Sequence, residues 1–446
     1  MQIRTPDQWR AKDAAHVIHP NTMLGLHEQN GGLMIQSAHG STLIDIEGKE
    51  YLDGIGALWL TNVGYGRPEL ADAAAAQMKE LPFWSLFWSY GHTKAVELAE
   101  RLAQLAPPGL SHTFFTSGGS EANESSMKIA RLYHVRRGQP DRTVILALDQ
   151  AYHGVSYGAM SATGIAAVRT NFAPFLTDVT HVPTPHPYRA GPEAASTALE
   201  ALEQQIRQIG PKRVAALMLE PIGGVGGLID LPDEYIRGAR ALCDRYGILL
   251  IIDEVICGFG RTGTWFGIEH SGVIPDIISC AKGITSGYFP LGASIIHDRV
   301  YAVIKGEPTD YFNHGFTYSG HPVGCAVALA NIDLIEREEL GARAVAMGAY
   351  LRERLLARAN PHIAQIRGKG LMLGVQLAQN PATRQDPIDP EAHKKVEAGC
   401  RAEGVLLRAL LGYTIAISPP LVITEPELDR IVDVLDRNIR RVFTGG

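Results

Sequence analysis

One segment governs the interpretation of this chain: Gly247-Ile248-Leu249-Leu250-Ile251-Ile252-Asp253-Glu254-Val255. Its continuous apolar run, which ends in two carboxylates, is typical of a β-strand buried on both faces of a parallel sheet. In open α/β sheets, ligands bind outside the carboxyl ends of the strands. We therefore expect Asp253 at the edge of the sheet that carries the functional site. A carboxylate that only caps a following helix is the ordinary alternative.

Similar apolar runs alternate with helical patterns between about residues 113 and 296. These runs are Thr143–Leu148, Val214–Glu220, Ile277–Ala281 and Ala293–Ile296. Such alternation predicts an α/β fold in which helices cover a mostly parallel central sheet. The Pro-rich residues 182–192 break the pattern. We expect them to form a surface excursion without a helix or a central strand.

The sequence outside this region predicts a second, smaller unit. A helical pattern over residues 338–359 precedes strand-like runs at 371–377 and 405–417. Near the start, Leu43–Ile46 and the turn at 47–49 indicate a hairpin that packs on the C-terminal region. We expect three parts: an N-terminal segment over residues 1–60, a large domain over 61–325 and a small domain over 326–446.

Length and composition indicate a two-domain globular protein that acts on small molecules. A chain of 446 residues is too long for one simple hydrophobic core. A net charge of -6 gives no general basic field that would attract nucleic acid or anionic lipid. Five dispersed cysteines, with no CxxC pair or histidine cluster at metal-ligand spacing, predict neither disulfides nor a metal site. The polar N-terminus and the lack of an apolar run of about 18 residues predict no membrane span and a cytoplasmic location.

A Gly-rich turn, Ser117-Gly118-Gly119-Ser120, follows an apolar run and opens a helical pattern that reaches about Arg137. The free N–H groups and the positive end of a helix dipole favour a phosphate at such a turn. A plain turn with a serine cap explains the residues equally well. Because the turn is neither a Walker A loop nor GxGxxG, a nucleotide is disfavoured.

A single lysine, Lys282, ends the apolar run Ile277–Ala281. Desolvation would lower the pKa of its amine and prepare it to condense with a carbonyl group, whereas a lysine that snorkels to the surface is the common alternative. Together, the turn, Asp253 and Lys282 supply what pyridoxal phosphate requires. These requirements are a phosphate cradle, a carboxylate that keeps the ring nitrogen protonated and an amine for the aldehyde.

With its other motifs, the sequence resembles the fold-type I, class III aminotransferases, especially the omega-amino acid (amine):pyruvate branch. The resemblance extends from about Trp59 to Leu421 and rests on Leu58–Gly66, Ser117–Asn123, Tyr152–Gly154, Glu220–Pro221, Asp253–Val255, Gly258–Arg261, Ala281–Gly283 and His314–Tyr318. It implies a large domain with a mostly parallel sheet plus a smaller α+β domain. It also implies a ping-pong transfer of an amino group from an amine or omega-amino acid to pyruvate or a similar keto acid.

The resemblance further implies a role for each matching residue. Lys282 is similar to the Schiff-base lysine that also shuttles the substrate proton. The remaining cofactor contacts implied are Asp253 at the ring nitrogen, Tyr152 and Val255 on the ring faces, Glu220 in support, and Gly119 and Ser120 at the phosphate. Thr317 resembles the residue that reaches this phosphate from a second subunit. We therefore expect a homodimer, or a tetramer built from it, with the active site at the subunit interface.

On the substrate side, Arg408 lies inside the apolar residues 404–409. A buried arginine needs a partner, and the keto acid carboxylate would supply one, although a salt bridge within the protein is the alternative. We expect Trp59, Phe87 and Tyr152 to line the pocket. The sequence departs from the commoner family pattern at Gly118, where serine is frequent, and at residues 409–411, which blurs the carboxylate-binding loop.

Other reactions are compatible with the same cofactor. Decarboxylation, racemisation and amino migration start from the same chemistry, and the surrounding residues determine which bond breaks. A transaminase specific for taurine or 4-aminobutyrate is a further alternative. A regulator that binds the cofactor without catalysis is disfavoured, since no basic DNA-recognition segment precedes Trp59.

Overall fold

The computed structural model describes residues 5–175 and 178–444. The N-terminal part contains α1 (Pro6–His16), α2 (Leu24–Asn30), β1 (Ile35–His39), β2 (Thr42–Asp45), β3 (Glu50–Asp53), α3 (Gly56–Trp59), α4 (Pro68–Glu80) and α5 (Thr93–Leu105). The central part contains β4 (Leu110–Thr116), α6 (Gly119–Arg136), β5 (Val144–Leu148), α7 (Tyr157–Ala162), α8 (Ala166–Arg169), β6 (Val179–Val182), α9 (Pro187–Ala190), α10 (Ala194–Ile209), β7 (Val214–Leu219), β8 (Ile222–Gly223), β9 (Ile229–Asp230), α11 (Asp233–Tyr246), β10 (Leu249–Asp253), β11 (Ile277–Cys280), β12 (Gly292–His297) and α12 (Asp298–Ile304). The C-terminal part contains α13 (Pro322–Arg337), α14 (Leu340–Ala357), β13 (Ile363–Lys369), β14 (Met372–Leu377), α15 (Ala392–Ala402), β15 (Val405–Leu406), β16 (Arg408–Leu410), β17 (Thr414–Ile417) and α16 (Glu425–Thr444).

The central part forms a seven-stranded sheet in the order β4-β12-β11-β10-β7-β5-β6. Only β12 runs antiparallel to its neighbours within this sheet, so the predicted mostly parallel sheet is confirmed. Every residue of β5, β7 and β10 is buried, as the continuous apolar runs predicted. Gly247 ends α11 in the left-handed conformation with φ 66° and turns the chain into β10.

A second sheet, β13-β14-β17-β16, is antiparallel and belongs to the C-terminal part. The predicted hairpin forms from β2 and β3, and Asp45 Oδ1 closes its turn by accepting hydrogen bonds from the N–H groups of Glu47 and Lys49. Strand β3 also pairs in parallel with β15, which ties the N-terminal segment to the C-terminal part. The domain boundaries at residues 60 and 325 stay a prediction.

Two details of the expected secondary structure were wrong. The Pro-rich residues 182–192 contain the helical turn α9, because a proline fits the first position of a helix, where no backbone N–H is needed. His186 and Tyr188 in this stretch are buried rather than at the surface. The run at 405–417 is three strands instead of one, since β15 joins the sheet of β3 while β16 joins that of β17.

Among the described residues, no helix combines the length and the apolar character that crossing a membrane requires.

A buried arginine connects the central part with the other two. Arg261 Nη2 donates to Asn62 Oδ1 at 2.7 Å, and its Nη1 donates to the carbonyl oxygens of Leu371 and Pro419. The side chain is fully buried. Losing these bonds would leave several buried acceptors unpaired.

We expect Arg261→Ala to lower the free energy of unfolding by about 3 kcal/mol or more, since each stranded polar group costs about 1–3 kcal/mol. Urea unfolding monitored by circular dichroism measures this loss. Arg358→Ala, which removes an exposed ion pair with Asp433, serves as the control and should cost about 1 kcal/mol at most. Equal losses in the two variants would contradict the connecting role of Arg261.

Candidate active site

The carboxyl edge of the central sheet brings together most of the site residues that the sequence predicted. Asp253 ends β10, Lys282 follows β11, Glu220 follows β7, Tyr152 lies beyond β5, and Gly119 begins α6 just after β4. The crossovers of a parallel sheet place all these strand ends on the same side. One edge therefore supplies an amine, two carboxylates and a helix N-terminus.

Asp253 is buried and held by three hydrogen bonds. Its Oδ2 accepts from Asn123 Nδ2 at 2.6 Å and from His153 Nδ1 at 2.9 Å. Its Oδ1 accepts from the Val255 N–H at 3.0 Å. The carboxylate is therefore fixed in position and orientation.

The adjacent carboxylate, Glu254, has a different environment. It accepts hydrogen bonds from the N–H groups of Gly267 and Ile268 at 2.8 and 2.7 Å and so holds the start of the 3₁₀ turn Gly267–Ser271. Burial raises the pKa of Glu254 to about 8. Of the two carboxylates at the end of the strand, only Asp253 shares a hydrogen-bond network with His153 and Asn123.

Lys282 begins a 3₁₀ turn directly after β11 and has φ 48°, a left-handed backbone that a lysine rarely adopts. Burial lowers the pKa of its ammonium group to about 8, while the charges of Asp253 and Glu220 act in the opposite direction. Its Nζ lies 5.6 Å from the centroid of the Trp59 ring. A substantial fraction of the amine is therefore neutral and nucleophilic near pH 8.

Glu220 supports the loop that carries Tyr152. Its Oε1 accepts from the Tyr152 N–H at 2.9 Å and its Oε2 from the Gly224 N–H at 3.0 Å. Burial raises the pKa of the Glu220 carboxyl to about 7, and the charge of His153 opposes this shift. Glu220 thus fixes the backbone of Tyr152 and places a titratable charge near Lys282.

The N-terminus of α6 forms a tightly packed turn. A Cβ on Gly119 would lie 2.9 Å from Val255 Cγ1, so only glycine lets the helix start this close to Val255. Ser120 Oγ accepts a hydrogen bond from the Val155 N–H at 3.2 Å. Gly118 borders open space, and its φ of 178° suits any residue, so the departure from serine there leaves the turn intact.

Trp59 lies between two cationic side chains. Its ring centroid lies 5.0 Å from Arg408 Cζ and 5.6 Å from Lys282 Nζ. The indole is only 3% exposed. Trp59 therefore connects Lys282 to the strand that carries Arg408.

Arg408 is half-buried at the start of β16. Among the described residues, no carboxylate pairs with it within 4.0 Å, so the alternative of an internal salt bridge is not observed. The nearby Glu397 instead accepts a hydrogen bond from the Ala409 N–H at 3.2 Å. Burial lowers the pKa of the Arg408 guanidinium. This group is free to bind a carboxylate from a ligand.

Phe87 and Thr317 belong to segments outside the central sheet, before α5 and before α13. The Phe87 ring packs against Gly315, where an added Cβ would lie 2.7 Å from Phe87 Cζ. Thr317 is exposed, and no hydrogen bond of its side chain is found within the described ranges. The structure thus does not join Thr317 to the α6 turn through a hydrogen bond in one chain.

Sequence reasoning assigned no role to His153 and Asn123, although both lie inside the quoted motifs. The sequence did offer a signal, because His153 adjoins Tyr152 and Asn123 follows Gly119 by about one helical turn. His153 Nε2 and Asn123 Oδ1 are buried without a hydrogen-bond partner in the described part of the chain. Buried polar atoms usually have partners, so these two indicate a polar ligand or ordered water at the site.

Comparisons with known proteins agree with this geometry. The family model described as Aminotransferase class-III matches residues 26–439. This chain is a class III aminotransferase. Its cofactor is pyridoxal phosphate, which class III aminotransferases use.

Almost the whole length of this aminotransferase is similar to proteins named as aminotransferases or transaminases. A putrescine–pyruvate aminotransferase of Pseudomonas aeruginosa is 39% identical over 434 residues, which cover 95% of this chain and 94% of the relative. An (S)-enantioselective omega-transaminase from Thermomicrobium roseum matches with a TM-score of 0.95 and 42% identity over 99% of this chain and 100% of that one. The omega-transaminase from Pseudomonas jessenii, solved in complex with PMP, has a TM-score of 0.94 and 34% identity, with 98% of each chain covered.

The residues of this aminotransferase fit pyridoxal phosphate. The unpaired buried atoms of His153 and Asn123, the free first-turn N–H groups of α6 and the poised amine of Lys282 suit a ligand with an aromatic ring, an anionic group and an aldehyde. The fixed Asp253 carboxylate suits the protonated nitrogen of such a ring.

The pKa of Lys282 leads to a testable pH dependence. Only the neutral amine can attack the cofactor aldehyde, so the rate at which the apoenzyme binds pyridoxal phosphate covalently should rise with pH and level off above about 8. Stopped-flow absorbance measures this rate.

Glu220→Gln should shift the half-maximal rate to a lower pH, because the lost negative charge no longer stabilises the Lys282 ammonium. Glu269→Gln, which removes a carboxylate that holds the Phe266 N–H, is the matched control and should leave the profile in place. An unchanged profile in Glu220→Gln would contradict the electrostatic coupling.

Proposed function

We propose that this enzyme transfers an amino group from an amine or omega-amino acid to pyruvate or a similar keto acid by a ping-pong mechanism. The main support is that the half-buried guanidinium of Arg408, which lies over the Trp59 ring, has no carboxylate partner among the described residues. A keto acid carboxylate would satisfy it through a two-point hydrogen-bonded fork. Family membership and the relatives described above, all named as aminotransferases or transaminases, favour transfer over decarboxylation, racemisation or amino migration.

We assign the residues that would hold the cofactor from their positions. The Asp253 carboxylate would face the ring nitrogen, with Tyr152 and Val255 on the two faces of the ring. The Gly119 and Ser120 N–H groups would bind the phosphate, and Lys282 would bind the aldehyde. When bound, pyridoxal phosphate supplies an electron sink that acidifies the Cα–H bond of the donor.

Lys282 would then act as the base. Released from the aldehyde by the incoming donor, its neutral Nζ can accept the Cα proton and later return it, since a pKa near 8 permits both steps near neutral pH. His153 and Asn123 would act as positioning residues, because they hold the Asp253 carboxylate rather than touch the substrate.

The residues that would contact the amino donor include apolar aromatic side chains. The buried Trp59 and the half-buried Phe87 offer aromatic surfaces, and the putrescine–pyruvate relative indicates that simple amines belong among the candidate donors. In a ping-pong reaction, one pocket receives a donor that can lack a carboxylate and then an acceptor that has one. Arg408 would contact only ligands with a carboxylate.

A donor screen tests this proposal. The holoenzyme is incubated with putrescine, beta-alanine, taurine, 4-aminobutyrate or an aryl amine, with pyruvate or 2-oxoglutarate as the acceptor. Alanine formed from at least one donor supports the proposal, and Lys282→Ala should form none. The absence of alanine with every donor would overturn it, whether or not glutamate forms from 2-oxoglutarate.

The role of Arg408 gives a sharper prediction. Arg408→Ala should lower kcat/KM for pyruvate by about 10- to 100-fold, equivalent to the roughly 1.5–3 kcal/mol of a charged hydrogen bond. The half-reaction with an amine that lacks a carboxylate should be nearly unchanged. Arg401→Ala, an exposed arginine on α15, is the control and should affect neither. Equal losses in both half-reactions of Arg408→Ala would contradict carboxylate binding.

We also propose that the enzyme is a homodimer whose cofactor phosphate is reached by Thr317 of the partner subunit. Thr317 is exposed beside large apolar side chains that a monomer would leave in water. These include Phe83, Trp84, Trp88, Tyr90 and Tyr318, which are 40% to 71% exposed. Exposed apolar patches of this kind mark protein interfaces.

Thr317→Ala should weaken retention of pyridoxal phosphate by about tenfold, which corresponds to about 1.4 kcal/mol for one hydrogen bond to a charged group. Equilibrium dialysis measures the dissociation constant, and sedimentation verifies that the dimer persists. Thr383→Ala, on an exposed turn between β14 and α15, is the control. An unchanged dissociation constant in a dimeric Thr317→Ala enzyme would exclude this contact.

A further inference from the structure

Three side chains outside the active site converge in the N-terminal segment. Asp13 on α1, His19 in the following connection and His27 on α2 each direct one ligand atom to the same point, and these atoms lie within 4.8 Å of one another. The Nε2 atoms of both histidines lie 3.0 Å from Asp13 Oδ2. The two ring centroids are only 4.1 Å apart.

We propose that Asp13, His19 and His27 form a binding site for a divalent transition metal of the zinc type. Zinc bound by histidine and carboxylate at about 2.0–2.2 Å in tetrahedral geometry places its ligand atoms about 3.3 Å apart. The observed separations of Asp13 Oδ2 from the two Nε2 atoms are close to this value. Imidazole ligands favour zinc and its neighbours over magnesium and calcium, which prefer oxygen ligands.

The surroundings orient the ligands before a metal arrives. The side chains of His27 and Asp13 are 10% and 15% exposed, and that of His19 is 32% exposed, so the site is sheltered but open on one side. A Cβ on Gly32 would lie 3.1 Å from His27 Cε1, so the imidazole packs against the backbone there. Water would complete the coordination at the open side.

When both rings are neutral, metal binding requires only a change of tautomer. In the hydrogen-bonded arrangement each neutral imidazole donates its Nε2–H to Asp13. Moving the proton to Nδ1 frees the Nε2 lone pair for the metal, so no net proton leaves the two neutral rings. The single carboxylate then offsets one of the two positive charges of the metal, and the two neutral imidazoles add none.

A structural role follows from the weakness of the two helices. α1 has 11 residues and α2 has 7, and neither contains a buried residue. Isolated helices of fewer than about 12–15 residues are marginal in water. A metal would connect α1, the residue 17–23 connection and α2. The sequence predicted no metal site because the spacing of Asp13, His19 and His27 matches no common motif.

The test uses holoenzyme freed of metal with a chelator and then titrated with zinc chloride in a calorimeter. The wild type should bind one Zn²⁺ per chain at this site. His19→Gln and His27→Gln should weaken that binding by more than the about 10- to 100-fold that outer-shell changes cost. His16→Gln, at the exposed end of α1, is the matched control and should bind as the wild type does.

Two further readouts separate this site from other zinc contacts. Cobalt should give the visible d–d bands of a tetrahedral centre in the wild type and His16→Gln, but not in His19→Gln or His27→Gln. Zinc should slow proteolysis within residues 17–23 only in the proteins that bind cobalt, the wild type and His16→Gln. Transaminase turnover should be equal in all variants. No zinc binding to the wild type, or equal binding in His19→Gln and His16→Gln, would overturn the proposal without affecting the proposed function.

Discussion

The fixed position of the Asp253 carboxylate is the constraint on which the active site depends. Its three hydrogen-bond donors come from α6, from the loop after β5 and from the turn after β10. One buried carboxylate therefore sets the relation between three separately folded segments. Removing any donor would leave a buried charge partly unpaired, which is far more costly than losing a surface contact.

Two other titratable groups near Asp253, Lys282 and Glu220, are also buried, and burial shifts their pKa values. At the same edge, the pKa of Lys282 falls to about 8 and that of Glu220 rises to about 7, both mainly through desolvation. Near neutral pH each group is therefore close to its own titration point. A small change of charge near these groups can then alter the proton held by Lys282. General acid–base catalysis requires this closeness of pKa to the operating pH.

The sequence predicted the sheet and its functional edge because both depend on local patterns. Continuous apolar runs end at Asp253 and Lys282, and parallel crossovers bring those ends together. The sequence singled out Asp253 through the family resemblance but could not show how Asp253 and Glu254 differ, since their environments are set by distant residues such as His153 and Gly267. It also left the partner of Arg408 open, because only the folded chain shows that the nearby Glu397 bonds to the Ala409 N–H and that no described carboxylate forms an ion pair with Arg408.

The two halves of the site are built by different parts of the molecule. Asp253, Glu220 and Lys282 follow strands of the central sheet, whereas Trp59 ends α3 and Arg408 begins β16. Asp53 accepts hydrogen bonds from the Ile55 and Ala57 N–H groups and thereby shapes the loop that presents Trp59 with φ 59°. These segments contribute no residue to the hydrogen-bond network of Asp253, but they do act on Lys282, because its Nζ lies against the Trp59 ring and the charge of Arg408 helps to lower its pKa.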